Sequence, residues 1–370
     1  MKITQVWLAA IRGSLACASV IAIAAGAIAQ APLWGGAGYS WAGDFNGDGK
    51  DDVASANGGT VFMRLSTGTR FNNIVWTVPN LWGGDRYTWA ADFNGDGKTD
   101  LASALESGLF LRLSEGDRFR DITLASPNQW GDRGYNWTGD FNGDDRADIA
   151  SALPNGVVTM RLSTGEDFDL QTWTVPTPWG GANYTWTGDF NNDGKTDLAS
   201  ALETALFLHL STGTGFRTIT LDGAGWGEPG YNWAGDFNGD GRTDLASALP
   251  NGVVTMRLAT GEGFDRQTWT VPTQWGGSRY TWTGDFNGDG KTDLASALEG
   301  NIFLHFSTGT GFRSVTVTGS NRWGEGGYNW AADVNGDGKT DLVSAHPEGD
   351  MTVRLATGSG FNLVTWSAVN

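Results

Sequence analysis

WGEPGYNWAGDFNGDGRTDLASALPNGVVTMRLATGEGFDRQTWTVPTQ, residues 226–274, is one copy of a unit that repeats along almost the whole chain. Apolar and polar residues alternate around Tyr231 and Trp233 and again over 254–258, and this period of two is typical of β-strands. Residues 245–249 (LASAL) are small or apolar on both faces, as in a strand buried between neighbours. Turns containing Gly or Pro separate these segments. The unit therefore predicts four short antiparallel strands, here named A to D in chain order.

Seven copies of this unit follow one another, and each opens on the motif W-G-x-x-x-Y-x-W-x-x-D. The copies begin 48, 48, 49, 47, 49 and 48 residues apart, at Trp34, Trp82, Trp130, Trp179, Trp226, Trp275 and Trp323. A sheet of four strands cannot bury both of its faces alone, and propellers stack about four to eight such sheets in a ring. The chain is thus predicted to be all-β, with residues 30–370 forming a single seven-bladed β-propeller of four antiparallel strands per blade.

The last repeat ends on its own strand D, so each blade is complete within one repeat. We expect the ring to close by packing blade 7 against blade 1, without a strand borrowed from the other terminus. Strand D carries a tryptophan in the odd repeats only, at Trp76, Trp173, Trp269 and Trp366. Because an alternating pattern cannot close evenly on seven, the junction of blades 7 and 1 should differ from the others.

Residues 1–29 have the pattern of a signal peptide. Lys2 and Arg12 precede an apolar run over 15–29, and Ala27-Ile28-Ala29 fits a small-x-small cleavage site. The alternative is a membrane anchor, but the run is shorter than the roughly 20 residues that a spanning helix needs. The sequence therefore predicts secretion, to the extracellular space or the periplasm, with no membrane insertion after cleavage.

Charge and cysteine content narrow the classes of function. The formal charge is −17, and loss of Lys2 and Arg12 with the signal takes it to −19. Such acidity argues against nucleic acid and anionic membranes as partners. Cys17, the single cysteine, lies in the predicted signal peptide, so the mature protein has no disulfide. Another interaction must stabilise an exported fold of this size.

Each repeat contains D-x-N-x-D-G-x-x-D, with side-chain oxygens at positions 1, 3, 5 and 9 and a glycine that permits a sharp turn at position 6. Repeat by repeat, the oxygen-bearing residues are Asp44, Asn46, Asp48, Asp52; Asp92, Asn94, Asp96, Asp100; Asp140, Asn142, Asp144, Asp148; Asp189, Asn191, Asp193, Asp197; Asp236, Asn238, Asp240, Asp244; Asp285, Asn287, Asp289, Asp293; and Asp333, Asn335, Asp337, Asp341.

These loops are predicted to bind calcium, up to seven ions in all. Oxygen ligands without histidine or thiolate favour Ca²⁺ over zinc or copper, and a backbone carbonyl at position 7 would add one ligand. A turn without a metal ion does not need three aspartates, which would repel one another. A helix-loop-helix calcium module is excluded because position 12 is Ser or Ala and strand patterns flank the loop. Asp145 replaces the position-6 glycine in repeat 3, and Asn192 is unusual at position 4 of repeat 4, so strain or a different affinity is expected there.

The run DFNGDGKTDL at 92–101, together with a later G-x-G-F such as 309–312, resembles the FG-GAP/VCBS repeat of integrin α-subunit propellers and of many secreted bacterial proteins. The resemblance covers the whole mature chain. It implies a seven-bladed propeller with calcium in the loops between strands A and B, on one face of the ring. The D–A and B–C connections would lie on the other face, which is the ligand face in integrins. The same repeat class includes seven-bladed fungal lectins that bind sugars between blades, but their sugar contacts have no residue-by-residue match here.

Two sets of tryptophans are candidates for packing or for ligand binding. The Y-x-W set is interpreted as inter-blade core, since it lies in the innermost strand: Trp41, Trp89, Trp137, Trp186, Trp233, Trp282 and Trp330. The W-G set, which opens the repeats, lies in the D–A connection beside flexible glycines. Its indoles either stack on the C–H faces of sugars or pack between adjacent blades, and both roles suit large amphipathic rings.

Catalysis is not predicted. The chain has three histidines, and His209 and His305 occupy a strand C position that is arginine in other repeats. No acid, base or nucleophile constellation recurs with them. We therefore expect a secreted, calcium-stabilised, multivalent carbohydrate-binding propeller of lectin-like type. The alternative is an adhesion propeller that binds a cell-surface protein and whose calcium is purely structural.

Overall fold

The computed structural model describes residues 39–83, 87–105, 108–125, 130–131, 135–153, 155–176, 179–180, 184–223, 225–226, 231–249, 251–272, 275–276, 280–318, 322–324, 328–347 and 349–366. The predicted signal peptide and Trp34 lie outside these ranges. Within them, 28 strands form seven four-stranded sheets. The described residues include no helix long and apolar enough to cross a bilayer.

The strands follow the chain in groups of four, one group per blade. Blade 1 has β1 (Ser40–Gly43), β2 (Asp52–Asn57), β3 (Thr60–Ser66) and β4 (Phe71–Thr77). Blade 2 has β5 (Thr88–Ala91), β6 (Asp100–Leu105), β7 (Gly108–Ser114) and β8 (Phe119–Ala125). Blade 3 has β9 (Asn136–Gly139), β10 (Asp148–Ala152), β11 (Val157–Ser163) and β12 (Phe168–Thr174). Blade 4 has β13 (Thr185–Gly188), β14 (Asp197–Ala201), β15 (Ala205–Ser211) and β16 (Phe216–Asp222).

The remaining three blades continue in the same order. Blade 5 has β17 (Asn232–Gly235), β18 (Asp244–Ala248), β19 (Val253–Ala259) and β20 (Phe264–Thr270). Blade 6 has β21 (Thr281–Gly284), β22 (Asp293–Leu298), β23 (Asn301–Ser307) and β24 (Phe312–Thr318). Blade 7 has β25 (Asn329–Ala332), β26 (Asp341–Ala345), β27 (Met351–Ala356) and β28 (Phe361–Trp366).

Every blade is an antiparallel meander in which strands A, B, C and D pair in chain order. In blade 5 the register places Trp233 of strand A opposite Ala246 of strand B, and Ala246 opposite Met256 of strand C. Strand B is buried along its whole length in this blade, as the LASAL pattern predicted. The prediction of four antiparallel strands per blade and seven blades is confirmed.

The core lies between blades and not within them. One apolar cluster joins Phe45 and Met63 of blade 1 to Leu101 of blade 2, all with no exposed surface. The strands A of neighbouring blades lie side by side, and β1 lies beside β25, which closes the ring. Each sheet thus becomes stable only when both neighbours cover it, which explains why the apolar pattern occurs on both faces of strand B.

The closing contact is of the same kind as at the other odd blades, and the odd number of repeats instead places two aromatic junctions side by side at blade 1. In the odd blades the strand D tryptophan packs edge-on against a phenylalanine of the next blade, as in Trp173–Phe216 at 5.0 Å between centroids. Trp366 makes the same contact with Phe71 across the closure, at 4.8 Å. Blade 1 therefore has an aromatic junction on both sides, because its own Trp76 also packs on the next blade.

Candidate metal loops and inter-blade clefts

Each aspartate-rich loop joins strand A to strand B of one blade. In blade 1, Asp44 follows β1 directly and Asp52 opens β2. Two glycines let the loop wind tightly because they adopt the left-handed conformation, with φ of +76° at Gly47 and +79° at Gly49. The local sequence therefore folds into a compact turn that keeps its polar side chains close to its own backbone.

The two loops that depart from the pattern keep the same backbone. Asp145 in blade 3 has φ of +64° and Asn192 in blade 4 has φ of +58°. The amide of Asp145 donates to Asp140 at 2.8 Å, as the glycine amide at this position does in blade 1. Asn and Asp tolerate this conformation better than other residues with a Cβ, although less well than glycine. Blade 3 therefore carries local backbone strain at the position where the sequence predicted it.

Side-chain oxygens of the loop accept its own backbone amides. In blade 1 the Asp44 carboxylate accepts the amides of Gly47 at 2.7 Å, Asp48 at 3.1 Å and Gly49 at 2.8 Å. Oδ1 of Asn46 accepts the amide of Asp48 at 2.9 Å. These bonds fix the loop in a single turn, and in all seven loops the position-1 aspartate accepts the amides of positions 5 and 6.

The position-9 aspartate ties the loop to strand C. Asp52 has no exposed surface, and its two oxygens accept the amides of Phe45 at 3.1 Å and Ser66 at 2.7 Å. Burial, together with the nearby carboxylates of Asp44 and Asp48, raises the pKa of Asp52 to about 7 in spite of these bonds. In the other six loops burial likewise raises the pKa of this aspartate to about 7. A cation among these carboxylates would favour their ionised forms.

The donor set fits calcium by its chemistry. It consists of hard oxygens, and a carboxylate oxygen that accepts one amide still has a lone pair to offer. Oδ1 of Asn287 is buried with no hydrogen-bond partner. Over the ranges that the structure describes, no three His, Cys, Asp or Glu side chains are arranged as a group that could hold a metal ion. Calcium in the loops therefore stays a prediction.

Each loop also carries a basic side chain at position 7, which a pattern of oxygen ligands alone does not predict. Lys98 shows the arrangement: its Nζ lies 2.8 Å from Oδ2 of Asp96 in its own loop. Its aliphatic stem lies against Gly47 in the loop of the preceding blade. The signal in the sequence was the strict recurrence of Lys or Arg at Lys50, Lys98, Arg146, Lys195, Arg242, Lys291 and Lys339.

The W-G tryptophans are in face contact with protein groups on the described residues. Trp82 stacks on Trp41 of the preceding blade with centroids 5.6 Å apart, and the guanidinium of Arg112 lies 3.9 Å from its ring centroid. Arginine lies over the ring in the same way in three further pairs, Trp130–Arg161, Trp226–Arg257 and Trp323–Arg354. The Trp82–Trp41 stack joins two adjacent blades, whereas each arginine comes from the same repeat as its tryptophan. The described indoles therefore make packing contacts, and a ligand-binding role for them stays a prediction.

In blades 4 and 6 a histidine takes the place of the arginine. The ring of His209 lies 5.2 Å from Trp179, and the ring of His305 lies 5.1 Å from Trp275. Nδ1 of His209 lies 2.8 Å from the Thr218 hydroxyl. Burial lowers the pKa of both histidines to about 4, so they are neutral near pH 7. A sugar that stacked on these indoles would have to displace a protein group from the ring.

In the five repeats where the structure describes it, the glycine after the opening tryptophan is required by close packing. A Cβ at Gly180 would lie 2.1 Å from the carbonyl oxygen of Ala201 in strand B. The Gly180 amide donates to the Ser200 hydroxyl at 2.8 Å. In blade 3 the side chain of Asn136 takes over this function, because it accepts the Gly131 amide and donates to the Gly131 carbonyl, both at 3.0 Å. The W-G motif is thereby clamped against its own sheet.

Clefts open between adjacent blades on the face that carries the D–A and B–C connections. The cleft between blades 4 and 5 has a volume of about 500 Å³, and the cleft between blades 1 and 2 has a volume of about 400 Å³. Their aromatic and polar linings are Tyr184, Glu203 and Trp226 in the first, and Tyr39, Asn57, Asn80 and Trp82 in the second. Each cleft thus combines ring surfaces with side chains that can hydrogen-bond.

Comparison with solved structures shows the fold alone, since all identities are low. An Agrocybe aegerita lectin that recognises non-reducing terminal N-acetylglucosamine is 16% identical, with a TM-score of 0.49 over 89% of this chain and 80% of the lectin. The Photorhabdus luminescens Tc holotoxin pore is 16% identical, with a TM-score of 0.51 over 84% of this chain and 17% of its own. BBS1N, solved in complex with ARL6DN, is 12% identical, with a TM-score of 0.50 over 89% and 94%.

Sequence comparison identifies the repeat itself. None of the curated proteins matches the chain. The model of the FG-GAP-like repeat matches six overlapping segments, at 44–103, 92–151, 140–200, 189–247, 236–296 and 285–344. Each segment runs from one aspartate-rich loop to the strand B that follows the next loop, so the matches span the loops and strands described above. The chain belongs to the FG-GAP-like repeat family.

Proposed function

We propose that this protein is a secreted, calcium-stabilised propeller that binds carbohydrate in the clefts between its blades. The observation that carries the proposal is the pair of clefts of about 500 and 400 Å³ that combine ring surfaces with polar side chains. Small-molecule sites are typically concave, with an apolar lining and a few polar groups that fix orientation. A sugar of one or two rings matches both the volume and the mixed lining.

The chemistry of the cleft between blades 4 and 5 suits a polyhydroxylated ligand. The Glu203 carboxylate offers lone pairs to two neighbouring hydroxyls. Tyr184 and Trp226 add apolar ring surface to the lining of this cleft. Because the repeat recurs around a rigid ring, several weak sites would engage a polyvalent glycan surface together and gain avidity.

Calcium has a structural role in this proposal. The ion would be held by the loop oxygens at positions 1, 3, 5 and 9, where it would supply the positive charge that clustered carboxylates need. The residues of the chain themselves wind the loop, present the oxygens and tie position 9 to strand C. Secretion would expose the protein to the calcium of the outside medium, and a chain without disulfides gains stability from such ions.

A glycan array tests the binding proposal, with the purified mature chain in calcium-containing buffer. We expect binding to a defined set of glycans, and Glu203→Gln should weaken the site between blades 4 and 5 about tenfold in a titration with the free sugar. Glu262→Gln is the matched control, since Glu262 is an exposed glutamate in the C–D turn of blade 5. Its binding should equal that of the unmodified chain.

Two outcomes would contradict the proposal. Equal losses of sugar affinity in the Glu203 and Glu262 variants would show that the cleft between blades 4 and 5 is not the binding site. Absence of any glycan signal, together with recovery of a specific surface protein by the immobilised chain, would favour the adhesion propeller instead. Substitution of the W-G tryptophans is less informative here, because they pack between blades and their loss would disturb the fold.

A further inference from the structure

A cation already occupies one oxygen of every candidate calcium loop. In the five lysine loops the ammonium Nζ lies 2.8 to 3.2 Å from Oδ2 of the position-5 aspartate. The pairs are Lys50–Asp48, Lys98–Asp96, Lys195–Asp193, Lys291–Asp289 and Lys339–Asp337. The carboxylate that would ligate calcium therefore has a competing internal partner.

The loops of blades 3 and 5 have arginine instead, and the contact differs in kind. Nη2 of Arg146 lies 2.5 Å from Oδ2 of Asp144, and its Nε donates to the Ser163 carbonyl at 3.1 Å. Nη2 of Arg242 likewise lies 2.5 Å from Oδ2 of its aspartate, and its Nε donates to a strand C carbonyl at 2.9 Å. The guanidinium thus bridges the loop and the end of strand C.

The position-5 aspartate is also less exposed in the two arginine loops than in the five lysine loops. The aspartate side chains are 34 to 38% exposed in the lysine loops and 28 and 29% exposed in the two arginine loops. Charge-assisted bonds from a planar guanidinium are geometrically fixed, whereas an ammonium on a flexible stem exchanges its partner for water easily. The arginine therefore covers its carboxylate more completely and from a fixed position.

We propose that the basic residue at position 7 sets the calcium affinity of each loop, so that the arginine loops of blades 3 and 5 bind calcium more weakly than the five lysine loops. The inference rests on the proposed calcium binding. Before the position-5 carboxylate can turn to an ion, a lysine has one exposed contact to release. An arginine has two bonds to release, and its charge stays beside the ion because strand C holds it there.

Blade 5 gives the cleanest test. Its loop keeps glycine at positions 4 and 6, whereas blade 3 also has Asp145. Calorimetric titration of the chelator-treated full chain with CaCl₂ should resolve a tight class of sites and a weak class. Arg242→Lys should move one site from the weak class to the tight class, a change of about tenfold in its Kd. The reciprocal variant Lys98→Arg should move one site in the opposite direction.

A thermal readout supports the titration. At limiting calcium, Arg242→Lys should increase the calcium-induced rise in Tm, and Lys98→Arg should reduce it. Isotherms that superimpose for the three proteins, or shifts of opposite sign, would overturn the inference while leaving calcium binding intact. A chain that takes up no calcium at all would overturn the calcium proposal and this inference together.

Discussion

The glycine in each W-G pair illustrates how a single residue positions the inter-blade tryptophan. Gly180→Ala would bring a Cβ to 2.1 Å from the Ala201 carbonyl, so strand B or the connection must shift. We expect a loss of about 1–3 kcal/mol in the free energy of unfolding, as for overpacked cores. Gly215→Ala is the control, since the nearest atom to its Cβ would be 3.9 Å away. Thermal melts that are equal for the two variants would contradict this account.

Two of the three buried histidines, His209 and His305, should make stability depend on pH. Their pKa is about 4 in the folded protein because of burial, against an ordinary value of 6.5. As the pH falls below 6.5 the unfolded chain protonates these two histidines first, so each contributes a loss of stability of about 1.4 kcal/mol per pH unit between pH 6.5 and 4. The position-9 aspartates, with a raised pKa of about 7, contribute in the opposite direction, so the histidine contribution is the difference between two proteins that share them. His209→Arg with His305→Arg installs the residue that other blades carry, and should remove this part of the dependence. The measurement is the free energy of unfolding by denaturant at several pH values between 6.5 and 4. If it changes with pH equally in the unmodified chain and in the double variant, the histidines are not the cause.

Among single residues, the sequence predicts which ones form the loops better than it predicts which side chains touch each other. The aspartates and glycines of the loops were evident because turn geometry and oxygen chemistry depend on residue type and spacing. The role of Trp82 was left open, since face contact with Trp41 and Arg112 depends on how two blades meet. Arg112 lies in strand C, where apolar and polar residues alternate, and the alternation does not show that its side chain is buried against a tryptophan.

In five blades a buried serine at the end of strand C is hydrogen-bonded to the aspartate-rich loop of the preceding blade. The Ser211 hydroxyl donates to the Phe141 carbonyl of the preceding blade at 2.5 Å, and blades 5 and 7 have Ala259 and Ala356 at the same place. Ser211→Ala would leave that carbonyl without its partner and should cost about 1–3 kcal/mol. Ala259→Ser is the reciprocal variant and should be neutral or stabilising. Chemical denaturation measures both, and equal losses would argue against the hydrogen bond as the cause.

Element boundaries and order were predictable because each strand has its own signature. Strand B reads as continuous small apolar residues, and the structure buries it on both sides. Strand D alternates between tryptophan and aliphatic residues from blade to blade, which predicted two kinds of junction. What the pattern did not predict is the partner of each tryptophan, Phe216 for Trp173, because that contact crosses to another repeat.

Calcium would act on the whole molecule, because each loop touches the next blade. An ion at 100 times its Kd stabilises the fold by about 2.7 kcal/mol per site. Chelation should therefore lower Tm by many degrees, and added CaCl₂ but not NaCl at equal ionic strength should restore it. If chelation leaves the melting temperature unchanged, calcium does not stabilise the fold.

The residue that ends strand A is matched in size to the residue that faces it in the next blade, and the junction of blades 7 and 1 has a different pair from most others. At most junctions the last residue of strand A is glycine and faces a threonine of the next blade; a Cβ at Gly43 would lie 2.5 Å from the Thr99 hydroxyl. Where strand A ends in alanine, the facing residue is not threonine. Ala332 of blade 7 faces Asp51, whose carboxylate accepts the Asp333 amide at 2.8 Å across the closure.

This complementarity predicts a compensating pair of substitutions at the closure. Asp51→Thr should destabilise the ring by about 1–3 kcal/mol, since it loses the bond to Asp333 and crowds Ala332. Adding Ala332→Gly recreates the glycine–threonine pair of other junctions and should recover about 1 kcal/mol through coupling between the two sites. The same cycle at Ala91 and Ala147, between blades 2 and 3, is the control within the ring. If, at both junctions, the change in the free energy of unfolding of the double variant equals the sum of the changes in the two single variants, size matching does not determine how neighbouring blades pack.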